Sequence, residues 1–269
     1  MELTNSITKI EECLSDIDTW MSIKRLNLNK DKTKILYLIS KYNPQQSLPP
    51  LRFGTEIIKP SPHARNIGAI FDTMMSMLPH VSNVCKSAFY HLRTISWVRK
   101  YLSTQTTEIL IHAFVTSILD HCNSLLYNVP ENVIKNLQSV QNAAVRLITR
   151  STKCDHITPI LLDLHWLPVS GRIKFKILLL TFKALHQQSP TYIQDLITRY
   201  LPSRSLRPSS TLSLNPLSFN LKTYGSRAFS VSAPELWNKL PDDISSYENL
   251  SLFKHKLKTY LFKNFYFSH

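Results

Sequence analysis

The chain has 269 residues, 43% of them hydrophobic, with 4 Gly against 15 Pro and a formal net charge of +14. That length can bury one or two cores. The scarcity of glycine, with neither G-x-G-x-x-G nor G-x-x-x-x-G-K-[ST] present, removes the support for dinucleotide-binding and P-loop readings.

A surface this basic points to polyanions as partners. The excess is uneven: residues 1–80 hold 10 Lys/Arg against 8 Asp/Glu, while residues 130–269 hold 18 against 8. The electrostatic footprint is therefore expected in the C-terminal half. Cys13, Cys85, Cys122 and Cys154 lie far apart with no C-x-x-C. They read as small buried hydrophobes in a reducing compartment. The start MELTNSITKI lacks a signal-peptide pattern, and the apolar cluster around Ile177–Leu180 is too short to span a bilayer. The expectation is an intracellular protein, cytoplasmic or nuclear, with no membrane partner and its oligomeric state left open.

In chain order, residues 5–26 read as an amphipathic helix with Ile7, Ile10, Leu14, Ile17 and Met21 on one face. A β-prone run follows at 35–39, then a proline-bearing loop at 40–50. Residues 51–59 and 65–72 read as two strands around Pro60-Ser61-Pro62. After Pro79 the pattern turns helical, with candidates at 79–100, 104–127, 130–150, 157–165, 170–187 and 190–200. Pro130, Pro159, Pro168 and Pro190 sit near their starts, where proline is tolerated. Residues 201–233 read as an extended Ser/Pro-rich loop and 250–267 as a last basic, aromatic helix. The expected fold is mostly α with a small N-terminal α+β part: a helix with short antiparallel strands at 1–78, a helical thumb-like bundle at 79–200, and a loop-rich basic region at 201–269.

Several cations are candidates for phosphate contact. Lys135, Arg146 and Arg150 fall on one side of the 131–150 helix, with Arg146 and Arg150 one turn apart. Arg172, Lys176 and Lys183 line up on the 170–187 helix. Two such stripes would grip a duplex by its backbone, giving affinity without sequence readout. Arg204, Arg207, Lys222 and Arg227 stud the 201–233 loop, where Tyr224 offers a ring for base stacking. For each group the competing reading is a merely solvated surface, or a linker in the case of the loop. Trp166 and Trp237 read as core anchors. His112, His121, His156 and His165 have no ligand or relay motif around them.

The segment W-M-S-I-K-R-L-N-L-N-K-D-K-T-K-I-L at 20–36 resembles the one that follows the catalytic aspartates in non-LTR (LINE-type) retrotransposon reverse transcriptases. R-N-I-G-A-I-F-D at 65–72 resembles the next block of that family, a hairpin that helps hold the primer end. The resemblance continues in order through 112–130, 137–148 (L-Q-S-V-Q-N-A-A-V-R-L-I), 156–169 (H-I-T-P-I-L-L-D-L-H-W-L-P-V), 221–230 and 236–241 (L-W-N-K-L-P). It implies the end of the palm, the thumb and the C-terminal helical region of an RNA-directed DNA polymerase. RNA, DNA or their hybrid would be the nonspecific partner. Lys32 matches the palm lysine that supports nucleotide addition, with Lys34 beside it.

The chain departs from the family at the chemistry. The polymerase site needs an aromatic-Ala-Asp-Asp turn and a further Asp, which hold two Mg²⁺ ions. In the family these lie upstream of the segment matched by 20–36. Asp242-Asp243, in L-P-D-D-I-S, has no strand–turn–strand around it and reads as a solvated turn or helix cap. The expectation is a non-catalytic piece needing no cofactor, with Mg²⁺ expected only for a complete polymerase. The alternative is a helical protein-interaction module without a nucleic-acid role.

Overall fold

The computed structural model describes residues 2–39, 48–54, 56–200, 213–219 and 222–267. It is mostly helical and divides into two compact units, residues 1–80 and 81–269.

The first unit is built on α1 (Glu2–Ile23) and two hairpins, β1 (Leu51–Phe53) with β2 (Glu56–Ile58), and β3 (His63–Asn66) with β4 (Ala69–Asp72). Leu51, Phe53 and Ile58 form its small core, and Ile7 and Leu14 of α1 pack on it together with Leu28 and Ile35. The anticipated apolar face of α1 is only partly covered, since Ile10 and Ile17 remain exposed. Two strand expectations are corrected. Residues 51–59 and 65–72 are not one strand each but belong to separate hairpins. Residues 35–39 hold only a bridge from Ile35 to Pro60 rather than a strand. The second hairpin turns through Ile67 and Gly68, both at positive φ (44° and 86°). That is the loop geometry whose twist suits a tight antiparallel pair.

The second unit begins within α2 (Leu78–Val98). It continues through α3 (Thr104–Ile111), α4 (Ser117–Asp120), α5 (Glu131–Thr149), α6 (Ile157–Asp163), α7 (Val169–Leu185) and α8 (Thr191–Gln194). After residues outside the described set come α9 (Lys222–Gly225), α10 (Phe229–Trp237), α11 (Asp242–Ser245) and α12 (Leu250–Tyr266). Helix α7 is the hub: α5, α10 and α12 all pack on it. Phe182 of α7 stacks on Phe253 of α12 at 4.3 Å between ring centroids, and Trp237 closes the cluster. Trp166 and Trp237 are both buried, as expected of core anchors.

Two helical expectations and one loop expectation are revised. The 104–127 helix is broken: a π-turn spans His112–Thr116, α4 stops at Asp120, and Cys122 adopts a left-handed φ of 54°. The 190–200 helix ends at Gln194, and Tyr200 and Asn215 donate amides across an antiparallel bridge, to Ser213 and Thr198 respectively. Part of the 201–233 loop is helical, in α9 and α10. The cysteines are also corrected, because Cys13 and Cys154 are exposed and Cys85 and Cys122 only half-buried.

The sequence blocks of α5 and the segment before α7 are tied by side chains. Gln138 Oε1 accepts the Val169 amide, and Gln141 Nε2 donates to the Leu167 carbonyl, both at 2.9 Å. Asn238 in L-W-N-K-L-P likewise holds both backbone groups of Leu214 at 2.9 Å.

Candidate nucleic-acid interface

The α7 cations are presented in different ways. Arg172 donates to Asp120 Oδ2 at 2.5 Å, with its guanidinium 5.8 Å from the Trp166 ring centroid. Lys176 is exposed, and Lys183 half-buried one turn beyond Leu179 on the same side. Arg172 and Lys176 enter a cleft of about 300 Å³ together with Asp120, Asn123, His165, Leu167, Phe175, Leu179 and, from α12, Lys258. Apolar Leu167, Phe175 and Leu179 line it beside the cations. Asp120 offsets Arg172, leaving Lys176 and Lys258 as the uncompensated charges among the cleft's lining residues. Asn123 Oδ1 and Arg172 Nε, both buried, have no hydrogen-bond partner among the described residues.

Helix α12 owes its charge to a simple pattern. Phe253, Leu257 and Leu261 are buried at intervals of one turn, so Lys254 and Lys258 fall together on one flank, both exposed. No Asp or Glu lies on the helix. The approach of α12 to α7 is close at Gly171, where an added Cβ would lie 3.0 Å from the Phe265 ring.

On α5 the expected stripe separates into different tasks. Arg146 is half-buried and bonded within the fold. Its Nε donates to the Thr152 carbonyl at 3.0 Å and its Nη2 to that of Asp155 at 3.4 Å, pinning the turn after the helix. Lys135 pairs with Glu131 at 3.4 Å, an exposed pair of little energetic weight. Arg150 is exposed in a left-handed conformation at the helix end. In the first unit, Lys32 and Lys34 are both exposed, Lys32 in a short turn whose amide bonds to Asn29 Oδ1. Arg204 and Arg207 lie outside the described residues, as does the Lys222 side chain. Arg227 and Tyr224 are half-buried.

The structure adds cations that charge counting over long windows passes over. On α2, Lys86, Tyr90, Arg93 and Trp97 recur at spacings of 4, 3 and 4, all exposed, with Lys100 and Tyr101 just beyond. The opposite side of the helix is buried through Val81, Val84, Ala88, Leu92 and Ile95. The signal was in the sequence, since no Asp or Glu occurs between Asp72 and Glu108.

Among the described residues no three His, Cys, Asp or Glu side chains are placed to hold a metal ion. Asp242 and Asp243 are exposed at the start of α11, where short acidic residues complement the free amides of a helix start. No described helix is long and apolar enough to cross a membrane. No family model, curated protein or solved structure matches this chain.

Proposed function

We propose that the second unit binds the phosphate backbone of RNA, DNA or their hybrid without sequence readout. The observation that carries this reading is the convergence of cations from two helices, Lys176 of α7 and Lys258 of α12, at one cleft whose third cation, Arg172, is paired with Asp120. Clustered, uncompensated lysines release counterions from a polyanion, which is the source of nonspecific affinity. The seven ordered blocks of sequence support a finer reading: the chain corresponds to the palm end, thumb and C-terminal helical region of a non-LTR reverse transcriptase. On that reading these residues hold nucleic acid, and the metal-binding carboxylates belong to the palm strands preceding the 20–36 segment.

The test is a salt titration of binding, read by fluorescence anisotropy with a labelled oligonucleotide. Affinity is expected to fall steeply with salt. Changing Arg150, Lys176 and Lys258 together to Gln is expected to flatten the plot of log affinity against log salt by roughly 0.7–0.9 for each phosphate that no longer meets a cation. Binding indifferent to salt sinks the proposal. A second reading, a helical protein-interaction module, draws on Arg146 and Arg172 being engaged within the fold. It predicts no nucleic-acid affinity for the triple variant to lose.

A further inference from the structure

We infer that the outer face of α2 is a stacking platform for unpaired bases, so that the second unit takes a single strand there as well as backbone at the α7–α12 cleft. This deepens the nucleic-acid reading and rests on it. Tyr90, Trp97 and Tyr101 are 68%, 69% and 77% exposed. Three such rings in one row make a patch rather than single exposed residues, and exposed patches mark interaction sites. Lys86, Arg93 and Lys100 alternate with them, so every ring has a cation beside it, and Lys100 Nζ lies 4.7 Å from the Tyr101 centroid. The row widens sideways: Tyr90 meets His91 edge-on at 5.4 Å, and His91 stacks on Phe114 of the π-turn at 5.6 Å.

Charge decides between occupants. An apolar protein face laid over this stripe would bury Lys86, Arg93 and Lys100 without acidic partners, which is costly. An unpaired polynucleotide satisfies both components, with flat bases on the rings and phosphates on the cations. A duplex satisfies only the cations, because its bases are stacked on one another. From Tyr90 to Trp97 the helix rises about 10 Å, which leaves space between the rings for Arg93 to reach a phosphate. Stacking is tolerant of base identity, so the preference is for strandedness rather than sequence.

The experiment uses the full chain carrying Trp20→Phe. Among the four tryptophans, Trp166 and Trp237 are buried, so Trp97 then becomes the exposed reporter. Homopolymeric uridine and thymidine oligonucleotides and a blunt DNA duplex are titrated in turn, following Trp97 emission and, separately, anisotropy of the labelled nucleic acid. Saturable quenching by a single strand, but not by duplex, is expected. The two single-strand arms tell RNA from DNA. Changing Tyr90, Trp97 and Tyr101 to Ala should weaken single-strand binding on the order of tenfold per ring while leaving duplex binding nearly unchanged. These residues are exposed, so the variant should fold.

Anisotropy reporting binding with no quenching overturns the platform and leaves the backbone reading standing. Equal losses for single strand and duplex overturn it too. Self-association that disappears with the rings would assign the face to a second copy of the chain instead. No binding to any of the three nucleic acids ends both proposals.

Discussion

Asp72 closes the second hairpin with a buried carboxylate, whose oxygens accept the amides of Ser76 and Met77 at 3.0 and 2.9 Å. Burial pushes its pKa up. The hydrogen bonds from Ser76 and Met77 outweigh that and hold the carboxyl below its ordinary value of 3.8. The depressed pKa contributes stability that is complete above the ordinary value and is lost as pH falls through the folded one. Asp72→Asn should therefore cost about 1–2 kcal/mol at neutral pH, and the gap from the native chain should narrow in acid; urea melts at several pH values check this. Arg99 is a buried cation that is bound by carbonyls rather than by a carboxylate. It donates to the carbonyls of Leu147, Ile148 and Leu102 at 2.7–2.8 Å, capping the end of α5. Burial, then the charge of Arg150, pushes its pKa down. Arg99→Met leaves those carbonyls unpaired and should cost about 3 kcal/mol, read as a lowered denaturation midpoint. At Ile67 the reverse is expected. A β-branched residue at φ 44° is strained, so Ile67→Asn should stabilise the protein by about 1 kcal/mol, seen as a raised Tm.

Helices show how far local pattern reaches. Those at 130–150, 170–187 and 250–267 are observed as Glu131–Thr149, Val169–Leu185 and Leu250–Tyr266. The first has a strong apolar period, and the first two begin at a proline whose φ already suits a helix start. The break after Ile111 has no such signal. A π-turn keeps the apolar spacing nearly intact while shifting the hydrogen-bond ladder, so periodicity passes over it. Alignment of cations on a helix does not reveal their partners within the fold. Arg146 and Arg172 sit at plausible phosphate-binding positions, yet one holds the 152–155 turn and the other binds Asp120. Arg146→Ala should therefore lower Tm by a few degrees, for a loss on the order of 1 kcal/mol. It should leave the salt dependence of nucleic-acid binding unchanged, a pairing that calorimetry and anisotropy together can check.

At the scale of the whole molecule, the charge imbalance, the mostly helical class, the presence of short antiparallel strands near the start and the burial of Trp166 and Trp237 all follow from local chemistry. They depend on residue type and short-range period, which any window of sequence carries. The partners of the charges do not. Whether Arg172 is spent on Asp120, whether Lys258 of α12 comes beside Lys176 of α7, and whether Gln138 reaches Val169 depend on residues distant in sequence. Each side chain's availability is settled only when packing brings another group within hydrogen-bond reach. Local pattern placed the positive charge and the long helices at 131–149, 169–185 and 250–266. Packing in three dimensions set which cations already have a partner, because an ion pair or a carbonyl at 2.5–3.0 Å engages a guanidinium that composition counts only as a charge.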